Sequence, residues 1–286
     1  MRARIPGDLL AVADAVLPGQ DLSAAVPARG GSHEVVLLPG TAVVRIAHNP
    51  TAVAALSRRT ELLRRLADLD LPFTVPRPLS AVMTVEGRTA VALSWVEGAP
   101  CPKGEGGEPK ELAGLLDCLR DIDCDPLADV LGAPHEYAGG DRWAEVMMGE
   151  VVPRLPQAWR PEAERRLRAA LDLRWERPSL VHGDLAGSNM HWDDRGRLVG
   201  VLDWDLASSF DPAVDAACLF WHGWDKVRGA VDGETLRRAC AWVLTFGLEQ
   251  PAFAILNNAP EQEVASAIDA TTAWLERSAA WDLPVK

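Results

Sequence analysis

Apolar positions in the first third of the chain recur at two spacings. Residues 33–38 and 41–47 are short β-branched runs on either side of Pro39-Gly40, which predicts two strands closed by a tight turn. Residues 49–67 switch to helical spacing, with Leu56, Leu63 and Leu66 on one face. Prolines 76 and 78 then hold residues 73–78 extended, and runs at 80–85 and 90–95 complete a small sheet. Val96-Glu97-Gly98 reads as a hinge, and the following CPKGEGGEPK is too rich in glycine, proline and charge for a core element, so an exposed or mobile loop is expected. From Glu111 onward helical spacing dominates, interrupted by two apolar runs at 180–181 and 198–202, each of which ends in a polar loop. The opening stretch, MRARIPGDLLAVADAVLPG, predicts a short amphipathic helix, because Asp8 and Asp14 interrupt the apolar run that a signal peptide requires.

The pattern implies an α+β chain, and 286 residues are enough for one large domain or two small ones around a sizeable core. No long uncharged apolar run is present, so no membrane span is expected. The five cysteines, Cys101, Cys118, Cys124, Cys218 and Cys240, form no CxxC pair and are odd in number, which favours reduced thiols in a cytoplasmic protein over disulfides or a zinc site. A formal charge of −12 speaks against a nucleic-acid partner, which calls for a basic surface, and is compatible with cationic ligands. Oligomeric state is unreadable, and a monomer is the default.

The candidate chemistry lies in LVHGDLAGSNMHWDDRGRLVGVLDWDLASSFDPAVDAA. One apolar run delivers His182-Gly183-Asp184 to a loop, Asn189 follows five residues later, and the second run delivers Asp203-Trp204-Asp205. An amide and two carboxylates are hard oxygen donors, the kind that binds Mg²⁺ together with substrate phosphates. In kinase-type phosphoryl transfer one Asp accepts the hydroxyl proton while an Asn and a second Asp hold the metal, and Asp184, Asn189 and Asp203 match those roles in order. A hairpin bearing solvated acids is the plain alternative. His182 is expected to shape the loop through a local hydrogen bond. Near the N-terminus, Gly30-Gly31-Ser32 beside the first strand pair could bring backbone amides to phosphates, although a simple turn explains it equally.

The run H-G-D-x-x-x-x-N, followed by D-W-D and D-P-x-x-D, resembles the aminoglycoside phosphotransferase family, which has a protein-kinase-like two-lobed fold. HEVVLLPGTAVVRIA and LLRRLADLDLPFTVPRPLS are most similar to the viomycin and capreomycin phosphotransferases within it. The resemblance implies a nucleotide-binding lobe over residues 1–98, with a small antiparallel sheet and the hinge. A mainly helical lobe over residues 99–286 would carry the catalytic and metal loops and the substrate site. It implies Asp184 as catalytic base, Asn189 and Asp203 as magnesium ligands, and Asp211 and Asp215 as a brace with His182 behind the loop. Ser94, Trp95, Val96 and Glu97 would contact the base of ATP or GTP, with Ser32 near its phosphates. Asp205, Trp221 and Asp225 are candidates for contact with a small cationic antibiotic.

Two positions depart from the family pattern. No lysine precedes Lys103, so the strand position that normally pairs the nucleotide phosphates falls on Arg45, whose planar fork also holds phosphate. The helix position that normally carries the partner glutamate falls on Arg59, while Glu61 lies about 200° round the helix and points away from the apolar face. The expected activity is transfer of the terminal phosphate of ATP or GTP to a hydroxyl of a tuberactinomycin such as capreomycin or viomycin, or of an aminoglycoside. A macrolide kinase, a small-metabolite kinase, a metal-dependent phosphohydrolase and a non-catalytic nucleotide-binding regulator remain as alternatives.

Overall fold

The computed structural model describes residues 5–174, 177–281 and 283. The first four residues of the opening stretch therefore lie outside the described residues, and the predicted helix is α1, Gly7–Val16. Five strands follow: β1 Val26–Arg29, β2 His33–Leu38, β3 Ala42–Ala47, β4 Met83–Val85 and β5 Arg88–Ser94. All pair antiparallel, in the order β1-β2-β3-β5-β4. The strand pair around Pro39-Gly40 has the register its turn demands, with Leu38 opposite Ala42 and Val35 opposite Arg45.

Some elements differ from expectation, and the run expected at 90–95 is β5 over Arg88–Ser94. β1 was not legible as a strand, and it makes residues 30–32 a turn between β1 and β2, closed by the Gly30 amide on the His33 carbonyl at 2.9 Å. The run at 80–85 is a strand only from Met83.

Helix α1 covers one face of this sheet. Its Leu9, Val12, Ala13 and Val16 recur at helical spacing and pack in one core with Val36, Leu38, Ala42, Val44, Ile46, Ala90 and Ala92. Each fully buried Leu, Val or Ile among them contributes about 1.5–3 kcal/mol. Helix α2, Pro50–Ala67, is started by Asn49, whose side chain accepts from the Ala52 amide at 2.8 Å, and by a proline at its first position. Glu61 pairs outward with Arg64 and with Arg65, whereas Arg59 is buried.

By backbone contacts the chain forms two compact units. The first comprises residues 1–101, 127–131 and 188–202; the second comprises 102–126, 132–187 and 203–286. The short hairpin β7, Met190–Trp192, with β8, Leu198–Val201, thus belongs with the sheet, where the Trp192 and Ala99 backbones bond mutually at 2.9 and 3.1 Å.

The second unit is mainly helical: α3 Pro109–Asp121, α4 Trp143–Val146, α5 Arg160–Leu171, α6 Ala213–Cys218, α7 Trp224–Ala230, α8 Gly233–Val243, α9 Phe246–Leu256 and α10 Glu261–Ala279. It also holds a two-stranded ribbon of β6, Ser179–Val181, against β9, Ser208–Phe210. Its core gathers α4, α5, α6, α8, α9 and α10 around Met147, Leu167, Trp242 and Leu275. No single helix among the described residues is long and apolar enough to cross a membrane; α8 with α9, bent by 45°, passes by length and composition, and residues of both lie in this core.

Candidate active site

Strand β6 ends at Val181, and the chain turns through His182 and Gly183 to Asp184. The turn is held from behind by the buried Asp215 of α6, whose two carboxylate oxygens accept the His182 amide at 2.8 Å and the Gly183 amide at 2.9 Å. Burial pushes the Asp215 carboxyl up to about 7, against the two amides, which favour its charge. His182 Nδ1 accepts the Asp184 amide at 3.2 Å, so the histidine is engaged locally with the loop it precedes. The Cys218 thiol, kept protonated by burial, donates to the Gly183 carbonyl at 3.8 Å.

The loop that carries Asp203 lies against this turn. Gly183 has φ of +82°, and a Cβ there would stand 2.9 Å from the Leu206 carbonyl oxygen, so both the backbone conformation and the close approach require glycine. The His182 and Trp204 rings meet edge-on with centroids 4.7 Å apart. Asp203 itself adopts left-handed φ of +57°, a conformation that costs an L-residue about 1 kcal/mol or more and turns the chain into the Trp204–Leu206 helical turn.

Asn189 is buried in the first unit, with Ser188 Oγ 3.4 Å from its Oδ1. The Leu202 amide donates to the Asn189 carbonyl at 2.8 Å, which places Asn189 beside the residue preceding Asp203. An amide oxygen and a carboxylate at such chain positions are hard donors that fit Mg²⁺, an ion that needs only one or two carboxylates beside phosphates.

Asp211 is fully buried and accepts Trp242 Nε1 at 2.8 Å, Arg238 Nε at 3.2 Å and the Ala213 amide at 3.0 Å, tying the end of β9 to α8. Asp205 is half-buried on the turn after Asp203. Trp221 packs against the loop of Asp184: a Cβ at Gly187 would stand 2.1 Å from its indole. Asp225 is exposed on α7, 3.7 Å from Arg228.

The segment after Gly98 is exposed over residues 102–105, as expected, and its backbone is nonetheless tied down. The Gly104 amide bonds the Trp221 carbonyl at 2.8 Å, and Lys226 donates to the Gly106 carbonyl. His222, held neutral by burial, donates from Nδ1 to the Glu105 carbonyl at 2.8 Å. Lys103 stands 4.9 Å above the Phe220 ring. Single polar contacts with residues 220–226 thus order a segment that has little apolar surface of its own.

In the first unit, Arg45 lies on β3 with Nη2 3.0 Å from His33 Nδ1. The Ser32 carbonyl accepts the His48 amide at 3.2 Å. Ser94 Oγ accepts the Arg77 amide at 2.8 Å, the Trp95 amide reaches the Thr41 carbonyl at 3.4 Å, and the Val96 and Glu97 carbonyls both accept from His191 Nδ1 at 3.2 and 3.1 Å. Val96 presses on Gly200, where a Cβ would stand 2.2 Å away. His33, His191 and Gly187 escaped the sequence reading. His33 had a usable signal, since counting out from Pro39-Gly40 puts it on the same sheet face as Arg45.

Residues 24–253 match the model of the phosphotransferase enzyme family, well over half of the chain. The chain belongs to this family. Among curated relatives, this family member is 30% identical over 275 residues to a viomycin phosphotransferase of Streptomyces vinaceus, a match covering 88% of this chain and 94% of that protein. Among solved structures, it is similar to the GDP and kanamycin complex of APH(2")-IIia, with a TM-score of 0.78 at 17% identity over 93% of this chain and 96% of that one. It is also similar to the apoenzyme of macrolide 2'-phosphotransferase MphH from Brachybacterium faecium, with a TM-score of 0.66 at 20% identity over 92% and 98%. The fold is therefore the kinase-like one, with a small antiparallel sheet in one lobe and a mainly helical second lobe.

Proposed function

We propose that this family member transfers the terminal phosphate of ATP or GTP to a hydroxyl of a cationic peptide antibiotic of the viomycin and capreomycin type. Asp184 supports the reaction class: it sits at the tip of a loop whose backbone is held by Asp215, His182 and the glycine contact at Leu206, a rigid mounting suited to a catalytic carboxylate. Similarity to a viomycin phosphotransferase over 88% of the chain supports the substrate class.

In this reading the Asp184 carboxylate takes the acceptor's hydroxyl proton as the oxygen forms its bond to phosphorus and the bond to the nucleoside diphosphate breaks. Asn189 and Asp203 would hold magnesium, which supplies neutralisation of the phosphate charge. Arg45 anchors the phosphates with Ser32 nearby, and Ser94 to Glu97 meets the base. Residues 1–98 form the nucleotide lobe and 99–286 the acceptor lobe. Asp205, Trp221 and Asp225 line the approach of the acceptor, and His182, Asp211 and Asp215 brace the loops. The protein acts in the cytoplasm as a monomer.

The test is a kinase assay with Mg²⁺ and either ATP or GTP against viomycin, capreomycin, several aminoglycosides and a macrolide, with mass measurement of each product. Phosphorylated viomycin or capreomycin is expected, and Asp184→Asn should abolish it while nucleotide binding persists. Product on a macrolide alone would move the substrate class, and nucleotide binding without any product would favour a regulator.

A further inference from the structure

The backbone at the end of the proposed base-contacting segment, residues 94–97, is held by a side chain from far along the chain. His191 Nδ1 lies 3.2 Å from the Val96 carbonyl and 3.1 Å from the Glu97 carbonyl. Carbonyls only accept, so Nδ1 carries a proton and donates to both. Successive carbonyls of an extended chain point to opposite sides, so two that reach one donor mark a bend at residues 96–97. Gly98 follows in the left-handed region, with φ of +87°.

The surroundings fit this approach, and all of them lie in the first unit. His191 on β7 stands directly opposite Gly200 on β8, so the two positions share one face of the ribbon. Val96 fills the space that this glycine leaves, since a Cβ on Gly200 would stand 2.2 Å from Val96 Cγ1. A Cβ on Gly98 would meet Val199 Cγ2 at 2.7 Å and the Trp192 carbonyl oxygen at 2.8 Å. The ribbon is itself tied down: the Thr74 amide donates to the Val199 carbonyl at 2.9 Å, and the Thr74 carbonyl accepts the Val201 amide at 3.0 Å. Packing of Val96 brings the chain to the ribbon but leaves the peptide planes free to rotate. The two bonds from His191 fix the planes that follow Val96 and Glu97, because each peptide is planar, and with them the backbone donors and acceptors by which such a segment recognises a base.

We infer that His191 is a positioning residue for recognition of the nucleotide base: its Nδ1 proton, shared between the Val96 and Glu97 carbonyls, fixes the base-contacting backbone against the β7–β8 ribbon. This rests on the phosphotransferase reading of residues 94–97.

The experiment is titration calorimetry, without acceptor, of the magnesium complexes of ATP, GTP and inorganic tripolyphosphate on the wild type, His191→Phe and His191→Asn, with melting temperatures to confirm folding. Phe keeps a ring and loses the donor, whereas the Asn Nδ2 restores a donor near the place of Nδ1. Tripolyphosphate has no base, so a loss confined to the nucleotides separates a role at the base from general loosening of the fold. His191→Phe is expected to weaken binding of the preferred nucleotide about tenfold and that of tripolyphosphate by less than about twofold, and His191→Asn to stay within about threefold of the wild type for the nucleotide. Unchanged nucleotide affinity in His191→Phe, a parallel loss for tripolyphosphate, or a loss in His191→Asn as large as in His191→Phe would overturn the role of His191. A wild type that binds neither nucleotide more tightly than tripolyphosphate would instead remove the placement of the base on residues 94–97. If His191→Phe does not fold, His191→Ala takes its place, and full nucleotide affinity there would equally overturn the inference.

Discussion

Asp215 governs the loop that ends in Asp184, because its two oxygens take two consecutive amides that would otherwise be buried without partners. The same burial raises its carboxyl from 3.8 to about 7. Between those values the folded chain holds a proton that the unfolded chain has released, so this group's contribution to stability falls as pH rises through that window. Asp215→Asn does not titrate, and the gap in melting temperature between wild type and variant should shift against the wild type from about pH 4 to about pH 7; a gap independent of pH would contradict this. Gly187 is the other sensitive position. Its alanine variant must move either the Trp221 indole or the loop between Asp184 and Asn189, and an ångström-scale displacement at a catalytic group costs roughly a hundredfold in rate. Gly187→Ala should therefore lower kcat far more than nucleotide affinity, as steady-state kinetics beside calorimetry would reveal. Neither effect could be read from the chain: HGD and DPAVD are visible as motifs, but the pairing of an aspartate with amides 32 and 33 residues away follows only from the tertiary approach of α6 to the turn after β6.

At the scale of elements, α5 is fastened to α10 through Arg166. Its side chain is 1% exposed, bonds Glu162 Oε1 and Ser278 Oγ at 2.7 Å each, and stacks 5.1 Å over the Trp274 ring. Hydrogen bonds from Arg165 first, and from Arg166, hold the Glu162 carboxyl down at about 2 against its burial. Glu162 is part-exposed and keeps Arg165 as a partner, so Arg166→Ala acts chiefly through the lost bond to the buried Ser278 and should lower unfolding free energy by about 1–3 kcal/mol in denaturant titration, whereas no measurable loss would mean the contact is dispensable. The helices themselves were legible, since the spacing of Leu56, Leu63 and Leu66 marks α2 directly. Strand β1 was not, because VPAR is short, half exposed and contains a proline, and it is a strand only through its pairing with β2.

For the whole molecule, a formal charge of −12 gives a field that attracts cations over a distance set by salt. The KM for a cationic acceptor should rise several-fold between about 0.05 and about 0.5 M KCl, with little change for a neutral acceptor if one is turned over. Equal response of both would show that acceptor binding is decided by short-range contacts alone. Residues 96–97 illustrate a limit at this scale. Val96 and Glu97 stand out as a change in composition, yet the fastening of their carbonyls by His191, nearly a hundred residues onward, is invisible in any local pattern.

What the sequence determined by itself was the alternation and spacing that make a small antiparallel sheet followed by helices, together with the order of Asp184, Asn189 and Asp203. Those are local properties: strand and helix periodicity act over a few residues, and a motif is a statement about neighbours in the chain. The tertiary structure decided which groups meet across long separations. It brought Arg45 to His33, packed Trp221 on Gly187, fastened residues 103–107 to residues 220–226, and assigned residues 188–202 to the unit that holds the sheet. Such contacts depend on register, burial and the close approach of glycine backbones, which are settled only when the whole chain has packed.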